Sequence, residues 1–451
     1  MLNGKGAGML AAILGIAAVS GLLLAAPAIT TSAQVFDENN QKVIKIGTLL
    51  TDSSAHQYRL QSMSIAVEDF NEAQSDYTLK LVNLKINDAK YGASGPEKSS
   101  RSGNAFADGF ENYGITYYVG PMGSTDTTSV QARLAEIEPA NTDEDFAVIS
   151  PASTSPKLRD GTDSIFRMAP DDRLQAVRLA NLLQDEGKEH VVVIALNVMH
   201  GSERDVWSGG LEEVFTANFG EDKIPNTVSM EIYHNATHRP DAAEYAGWAN
   251  ELDVAVSGLV RQNGADSVAV LILAYADDLR SLVDVATMNA SLAQSLGMVK
   301  WYGPDGIATH GEAYEGTNTE VGRFLSSVEF TATQFSGEET AERDQLRDQL
   351  LERGVPQDDI SNIYLYTSYD AMTLMANAIA ERDAGSNTKT VKTLLYELAH
   401  GPSGVGVLGD YGFNEVGDLN QPLAYKLWTV VLGSNGEPGW VAVAETSKIC
   451  R

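Results

Sequence analysis

The sequence predicts an α/β protein of two doubly wound lobes, each an open parallel sheet with helices on both faces. From about residue 43, segments with strand patterns alternate with segments with helical patterns, which is typical of parallel sheets. Several of these strands are apolar at every position, as parallel strands are when both faces of the sheet are covered. The alternation falls into two series, residues 43–170 and 171–330, and so indicates two lobes of similar design.

The first series begins with a strand at 43–50. A helix follows at 62–72, because its apolar residues recur with helical spacing, and residues 77–86 alternate apolar and polar as a strand does. The remaining elements predicted for this series are a strand at 116–119, a helix at 125–137 and a strand at 146–149.

The second series begins at 190–196, where the residues are almost purely β-branched or small and apolar, so we predict a buried strand. The other predicted elements are a helix at 203–218, a strand at 228–233, a helix at 245–263, a strand at 268–273, a helix at 278–296 and a strand at 299–302. Beyond this series we predict helices at 344–353 and 362–382, and a strand-rich end from residue 401.

Composition excludes several classes of function. The 451 residues include 61 acidic and 32 basic ones, a net charge of −29. This argues against nucleic-acid binding, because that affinity comes from Lys and Arg on phosphates. Cys450 is the one cysteine, so a disulfide framework and a cysteine-based zinc site are excluded. His234 and His238 are four apart, but their polar neighbours and Pro240 predict a loop, so we expect neither a metal nor a cofactor.

The N-terminal segment, residues 1–33, predicts export. Lys5 is the only charge before Asp37, and residues 9–28 are apolar or small apart from Ser20. This pattern indicates a secretory signal cleaved near Ala28 or Ala33. An uncleaved membrane anchor is the alternative, because about 20 apolar residues can span a bilayer. Both readings place the body of the protein outside the cytoplasm, secreted, at the cell surface or in the periplasm.

Polar residues directly after the predicted strands are the candidate ligand contacts, because ligands of open parallel sheets bind beyond the carboxyl ends of the strands. Ser124 and Thr154 combine hydroxyls with helix starts, which suits an anion. Asp305 offers a site for a cation, and His200 and Tyr275 offer rings to cover the middle of a ligand. Each residue alone is explained as a cap, a turn residue or packing. Together they suit a small zwitterion such as an α-amino acid.

Six segments in order resemble the type I periplasmic binding proteins, in the branched-chain amino acid and amide group that serves ABC importers. They are residues 119–124, 150–158, 165–172, 302–306, 366–371, and 401–404 with 413–418.

The resemblance implies two lobes joined by a multi-strand hinge, with a ligand cleft between them. Lobe 1 would comprise residues 43–170 and 331–406, and lobe 2 residues 171–330 and 407–446. The chain would cross between lobes near Asp171, Phe330 and Val407.

The resemblance also implies roles for the candidate residues. Ser124, Ala152 and Thr154 would hold the ligand carboxylate, with help from backbone N–H groups. Asp305 would hold the α-ammonium, although it is shorter than the Glu common in the family.

Three further positions would complete the cleft. His200, where the family has tyrosine, would pack over the ligand, and Tyr275 matches a second aromatic less closely. Ser54, in the polar loop after the first strand, would line the cleft.

The function expected from the resemblance is capture of an amino acid or related small polar solute for an ABC permease, by a monomer. A ligand-sensing receptor ectodomain of the same fold, or a binder of urea or short amides, is the alternative. An enzyme is not expected, because the chain has no GxSxG, HExxH or P-loop motif.

Overall fold

The computed structural model describes residues 35–36, 42–73, 76–91, 100–142, 144–158, 164–198, 206–232, 240–315, 319–384, 388–401, 405–420 and 424–443. The predicted signal or anchor segment, residues 1–33, lies outside them, as do Cys450, His234 and His238. Across these ranges, no helix has both the length and the apolar character that crossing a bilayer requires.

The first sheet forms from strands that are apolar on both faces. Phe146 and Val148 pack on one face of the sheet, whereas Ala147 and Ile149 pack on the other. Its strands are β1 (Val35–Phe36), β2 (Lys42–Thr48), β3 (Tyr77–Asn83), β4 (Tyr117–Val119), β5 (Ala147–Ser150) and β6 (Ile165–Arg167). The parallel strands lie in the order β3-β2-β4-β5-β6, and β1 pairs antiparallel with the start of β2.

Three helices follow strands of this sheet: α1 (Ser54–Ala73), α2 (Ser100–Tyr113) and α3 (Ser124–Ile137). Phe106 of α2 and Leu134 of α3 share a core on one face, and Met63 of α1 packs on the other. α1 begins eight residues before the predicted start, and α2 and β6 were not predicted. Ser102, Gly103 and Gly109 are among the buried residues of α2, and such small or polar residues interrupt the apolar spacing by which helices are recognised.

The second sheet repeats the design. Val191 and Val193 pack against one layer of helices, and Val192 and Ile194 against the other. The elements of this part of the chain are α4 (Asp172–Asp185), β7 (His190–Val198), α5 (Val206–Phe219), β8 (Asn226–Ile232), α6 (Ala242–Asn263), β9 (Val268–Leu273), α7 (Ala276–Thr287), α8 (Ala290–Leu296), β10 (Lys300–Gly303), α9 (Glu320–Ser327) and β11 (Thr331–Ser336).

The single helix predicted at 278–296 is two helices, because the Asn289 side chain caps the start of α8. The remaining elements are α10 (Ala341–Glu352), α11 (Ile363–Asp383), α12 (Val391–Ala399), β12 (Val405–Gly406), β13 (Gly409–Asp410), β14 (Ala424–Leu432) and β15 (Pro438–Ala442). The parallel strands of the second sheet lie in the order β8-β7-β9-β10-β11, and β14 and β15 extend it antiparallel. The predicted fold class is confirmed.

The two sheets share one strand order, and this order positions the site. In each sheet the strand order reverses beside the first long strand, between β2 and β4 and again between β7 and β9. Ligands of open parallel sheets bind at such switch points, outside the carboxyl ends of the strands. The residues that follow Thr48, Val119 and Leu273 are therefore placed to meet a ligand.

The crossings between sheets differ from the predicted lobe boundaries. β11, predicted to begin the return to lobe 1, pairs with β10 in the second sheet, and the chain turns toward the first lobe only afterwards. Phe413 and Leu419, predicted in lobe 2, pack in the core of the first lobe. Periodicity identifies a strand but not the sheet that it joins, which explains both differences. The rest of the lobe division stays a prediction.

Candidate ligand-binding cleft

A cleft of about 620 Å³ lies between the two sheets. Residues after β2, β4 and β5 form one wall, and residues after β9 and β10 form the other. This volume falls in the range of small-molecule sites. The cleft therefore lies at the switch points of both sheets.

The start of α3 lines the first wall. Gly123 occupies the N-cap position without a side-chain cap, so the helix presents its positive end to the cleft. Ser124, which is buried, accepts the backbone N–H of Ser155 at 3.2 Å. A carboxylate bound here would meet the Ser124 hydroxyl and the end of the helix.

The hydroxyl turn, residues 150–156, follows β5 in the same wall. Each of its four hydroxyls contacts another part of the protein. Ser150 donates to the Pro121 carbonyl at 2.6 Å, Ser153 bonds Thr127 at 2.5 Å, Thr154 donates to Asp172 at 2.7 Å and Ser155 donates to the Val206 carbonyl at 2.6 Å. Ala152 and Thr154 line the cleft, and the Thr154 hydroxyl is bonded to Asp172.

A buried ion pair supports this turn from behind. Arg167 donates to Asp418 at 2.6 Å, and both side chains are almost fully buried. Its Nη1 also donates to the Ser155 carbonyl at 2.6 Å. This pair could not be predicted, because its two positions lie 251 residues apart in the chain.

Asp305 lines the cleft, and the buried Asp172 lies behind it without lining the cleft. Asp305 is buried and accepts the hydroxyl of Tyr364. Burial raises the pKa of Asp305, and hydrogen bonds from Tyr364 and Gln175 oppose that rise. Burial, and next the charge of Asp305, raise the pKa of Asp172. A cation bound at Asp305 would favour its charged form.

Tyr275 forms an aromatic wall with a residue that the sequence did not single out. Its ring, 39% exposed, stacks on Trp207 with 4.7 Å between centroids and 14° between planes. Gly306 allows this arrangement, because a Cβ there would come within 2.9 Å of the Trp207 ring. His200 lies outside the described residues, so its predicted role stays a prediction.

Ser54 contacts the second lobe but is not among the described residues that line the cleft. Its hydroxyl donates to Glu312 at 2.7 Å, which joins the start of α1 to the second lobe. The contact of Ser155 with Val206 makes a second link between the lobes. The lobes also touch where Thr154 donates to Asp172 and where the Asn362 amide meets His310.

Sequence analysis missed the residues at the α1 end of the cleft. His56 and Arg59 lie on one face of the first turns of α1, and His310 comes from the loop after β10. Thr309 precedes His310 with φ 61°, a left-handed conformation that is strained for a β-branched residue. The sequence feature that could have identified these residues is the pair of basic side chains, His56 and Arg59, in the segment that follows the first predicted strand.

No metal site accompanies these residues. Within the described ranges, no group of three or more His, Cys, Asp or Glu side chains could hold a metal ion.

Comparison with known proteins assigns the chain to a family. The model of the receptor family ligand binding region matches residues 58–431, most of the chain. The chain belongs to this family. The predicted resemblance to type I periplasmic binding proteins is thereby confirmed. No curated protein matches the sequence significantly.

Solved structures share the fold of this family member at low sequence identity. A leucine binding protein from Thermotoga maritima matches with a TM-score of 0.60 and 15% identity, covering 89% of this chain and 99% of its own. A branched-chain amino acid transporter substrate binding protein from Streptococcus pneumoniae, in complex with isoleucine, has a TM-score of 0.58 and 17% identity, covering 89% and 100%. A solute binding protein of an ABC transporter from R. palustris, in complex with 4-hydroxybenzoate, has a TM-score of 0.61 and 14% identity, covering 89% and 96%.

Proposed function

We propose that this protein is an extracytoplasmic solute-binding protein that captures an amino acid or related small polar solute for an ABC importer. The observation that carries the proposal is the cleft at the paired switch points, with an uncapped helix N-terminus on one side and Asp305 on the other. An anion-binding helix end opposite a carboxylate matches the two charged groups of an amino acid.

The fold supports capture by closure of the lobes. The first sheet is joined to the second by several chain crossings, and the lobes touch through the Ser54–Glu312 and Ser155–Val206 contacts. Closure around a solute requires tighter binding to the closed state than to the open one. The solute would supply this difference by contacting both walls at once.

Titration calorimetry on the purified protein tests the proposal. The panel comprises amino acids of each charge class, short amides, urea and 4-hydroxybenzoate. We expect saturable binding of at least one amino acid. Asp305→Asn should weaken that binding at least about tenfold, because a charge-assisted bond contributes roughly 1.5–3 kcal/mol. Binding only by urea or a short amide would replace the amino acid as the solute.

A receptor ectodomain is the second candidate, because the matching family model is that of receptor ligand-binding regions. The two functions differ in the partner that recognises the solute-bound protein, which is a permease in transport and a signalling partner in a receptor. Uptake of labelled solute by cells that carry the cognate permease should depend on this chain if it serves transport. Solute-dependent signalling with no dependence of uptake would favour the receptor.

Binding without chemical conversion is also part of the proposal. We expect the solute to be recovered unchanged after prolonged incubation with the protein, as chromatography with mass detection would show. We further propose a monomer, which light scattering on the purified protein would test.

A further inference from the structure

The α1 end of the cleft contains a buried cation. Arg59 is 7% exposed and lines the cleft from the second turn of α1. Its guanidinium lies 5.1 Å from the centre of the Tyr364 ring. Among the described residues, no carboxylate forms an ion pair or hydrogen bond with it. A charge buried without an ionic partner costs several kcal/mol, so this position calls for an anion.

His56 presents a second N–H donor. Its Nδ1 lies 3.0 Å from the backbone N–H of Thr51. A backbone N–H can only donate, so Nδ1 accepts and the proton of the neutral ring is on Nε2. No hydrogen bond to Nε2 comes from the described residues.

His310 presents a third donor by the same reasoning. Asn362 accepts the backbone N–H of Tyr364 through Oδ1, so its amide N–H₂ faces His310. That amide donates to Nε2 at 2.8 Å, which leaves the ring proton on Nδ1. His310 is 8% exposed, and within the described part of the chain Nδ1 has no hydrogen-bond partner.

The charges around the three donors support one site. Burial, together with the charge of Arg59, lowers the pKa of both histidines to about 3, so both rings are neutral donors at neutral pH. The acids nearest Arg59 have other partners: Glu312 accepts the hydroxyl of Ser54, and Asp359 accepts the backbone N–H of Gly311 at 3.3 Å.

We propose that Arg59, His56 and His310 bind a carboxylate of the solute that is distinct from the carboxylate expected at Ser124. The solute is then an acidic amino acid or a similar dicarboxylate. This assignment rests on the solute-binding function proposed above and names the charge class of its ligand.

The test is titration calorimetry with matched pairs: glutamate against glutamine, and aspartate against asparagine. Whichever of glutamate and aspartate binds more tightly to the wild-type protein should bind at least about tenfold more tightly than its own amide. Arg59→Gln should reduce this preference to about threefold or less, with the affinity for the amide little changed. Arg347→Gln is the control, because Arg347 pairs with Asp344 on α10 and does not line the cleft.

The outcomes separate this assignment from the proposed function. If glutamine or leucine binds more tightly than glutamate to the wild-type protein, the carboxylate site is wrong and solute binding stands. If Arg59→Gln, with an unchanged unfolding midpoint, keeps the full preference, Arg59 is balanced by Glu312 and not by the solute. If only urea, a short amide or 4-hydroxybenzoate binds, the carboxylate assignment fails and the solute-binding function stands with another solute. If nothing in the panel binds, both fail. The wild-type comparison needs no variant and holds even where Arg59→Gln does not fold.

Discussion

The two ends of the cleft treat their polar groups in opposite ways. In the hydroxyl turn every hydroxyl from Ser150 to Ser155 has a partner in the protein, and Arg167 supports the loop from behind. At the α1 end, Arg59 and both histidines keep donors that no described acceptor satisfies. Buried polar groups are normally paired, so unpaired donors that also line the cleft mark where a ligand can supply the partner. Arg167 Nη2, Asp172 Oδ1 and Asp418 Oδ2 lack partners among the described residues as well, but these three residues do not line the cleft. The hydroxyl turn therefore supports the structure of the cleft, whereas the α1 end has donors available to bind a solute.

The largest loss of stability is expected from removing the buried ion-pair partner of Arg167. Asp418→Ala would leave Arg167 buried without its ion-pair partner. Removing one partner of such a pair costs about 3–5 kcal/mol, which urea unfolding would measure. Glu397→Ala is the control, because its pair with Lys389 is exposed and should contribute less than about 1 kcal/mol. Equal losses for the two variants would show that the pair does not support the turn.

A smaller loss of stability is expected from Thr154→Val. The variant keeps the shape of the side chain but removes the hydrogen bond to the buried Asp172. A lost bond of this kind costs about 1–3 kcal/mol, again measured by urea unfolding. Solute affinity should change less than about threefold. A tenfold loss of affinity would show that Thr154 contacts the solute directly, as the resemblance implies.

The pH dependence of stability provides a third test at the α1 end. His310 has its pKa lowered from 6.5 to about 3. Below pH 6.5 the unfolded chain binds this proton and the folded protein does not, so the free energy of unfolding falls as pH falls toward 3.

His310→Gln should reduce the loss of stability between pH 7 and pH 5 by about 2 kcal/mol. Burial raises the pKa of Asp370 to about 7, so its effect on the pH dependence has the opposite sign. Asp370 is present in both proteins, so the difference between His310→Gln and the wild type gives the contribution of His310. An identical loss in both proteins would mean that His310 is protonated in the folded state.

The smallest effect is expected at the aromatic wall. Tyr275→Ala removes one face of the stack with Trp207 but little buried surface, so stability should change by less than about 1 kcal/mol. Solute affinity should fall a few-fold, as calorimetry would show. Tyr396→Ala is matched in exposure, at 41%, and lies outside the cleft. Affinity unchanged in Tyr275→Ala would exclude this ring from the site.

The sheets could be predicted from sequence because burial on both faces imposes apolar residues at successive positions, as in residues 190–196. The first turns of α1 could not. His56 and Arg59 face the cleft and not the core, so this part of the helix lacks the apolar spacing by which helices are recognised.

The candidate site could be predicted only in part, for the same physical reason. Ser124, Ala152, Tyr275 and Asp305 all line the cleft, since residues after parallel strands share one edge of a sheet. Whether a hydroxyl is free or occupied depends on residues far away in the chain. Pairing such as that of Ser54 with Glu312, 258 residues apart, becomes visible only in the folded molecule.

One side-by-side measurement tests the contrast between the two ends most directly. The affinity of the tightest-binding acidic solute and the urea midpoint would be measured for Arg59→Gln and Thr154→Val. Arg59→Gln should lose at least about tenfold in affinity and keep or raise its midpoint, because it removes a buried charge that has no ionic partner. Thr154→Val should lose stability and keep its affinity within about threefold. The reverse pattern would contradict the account.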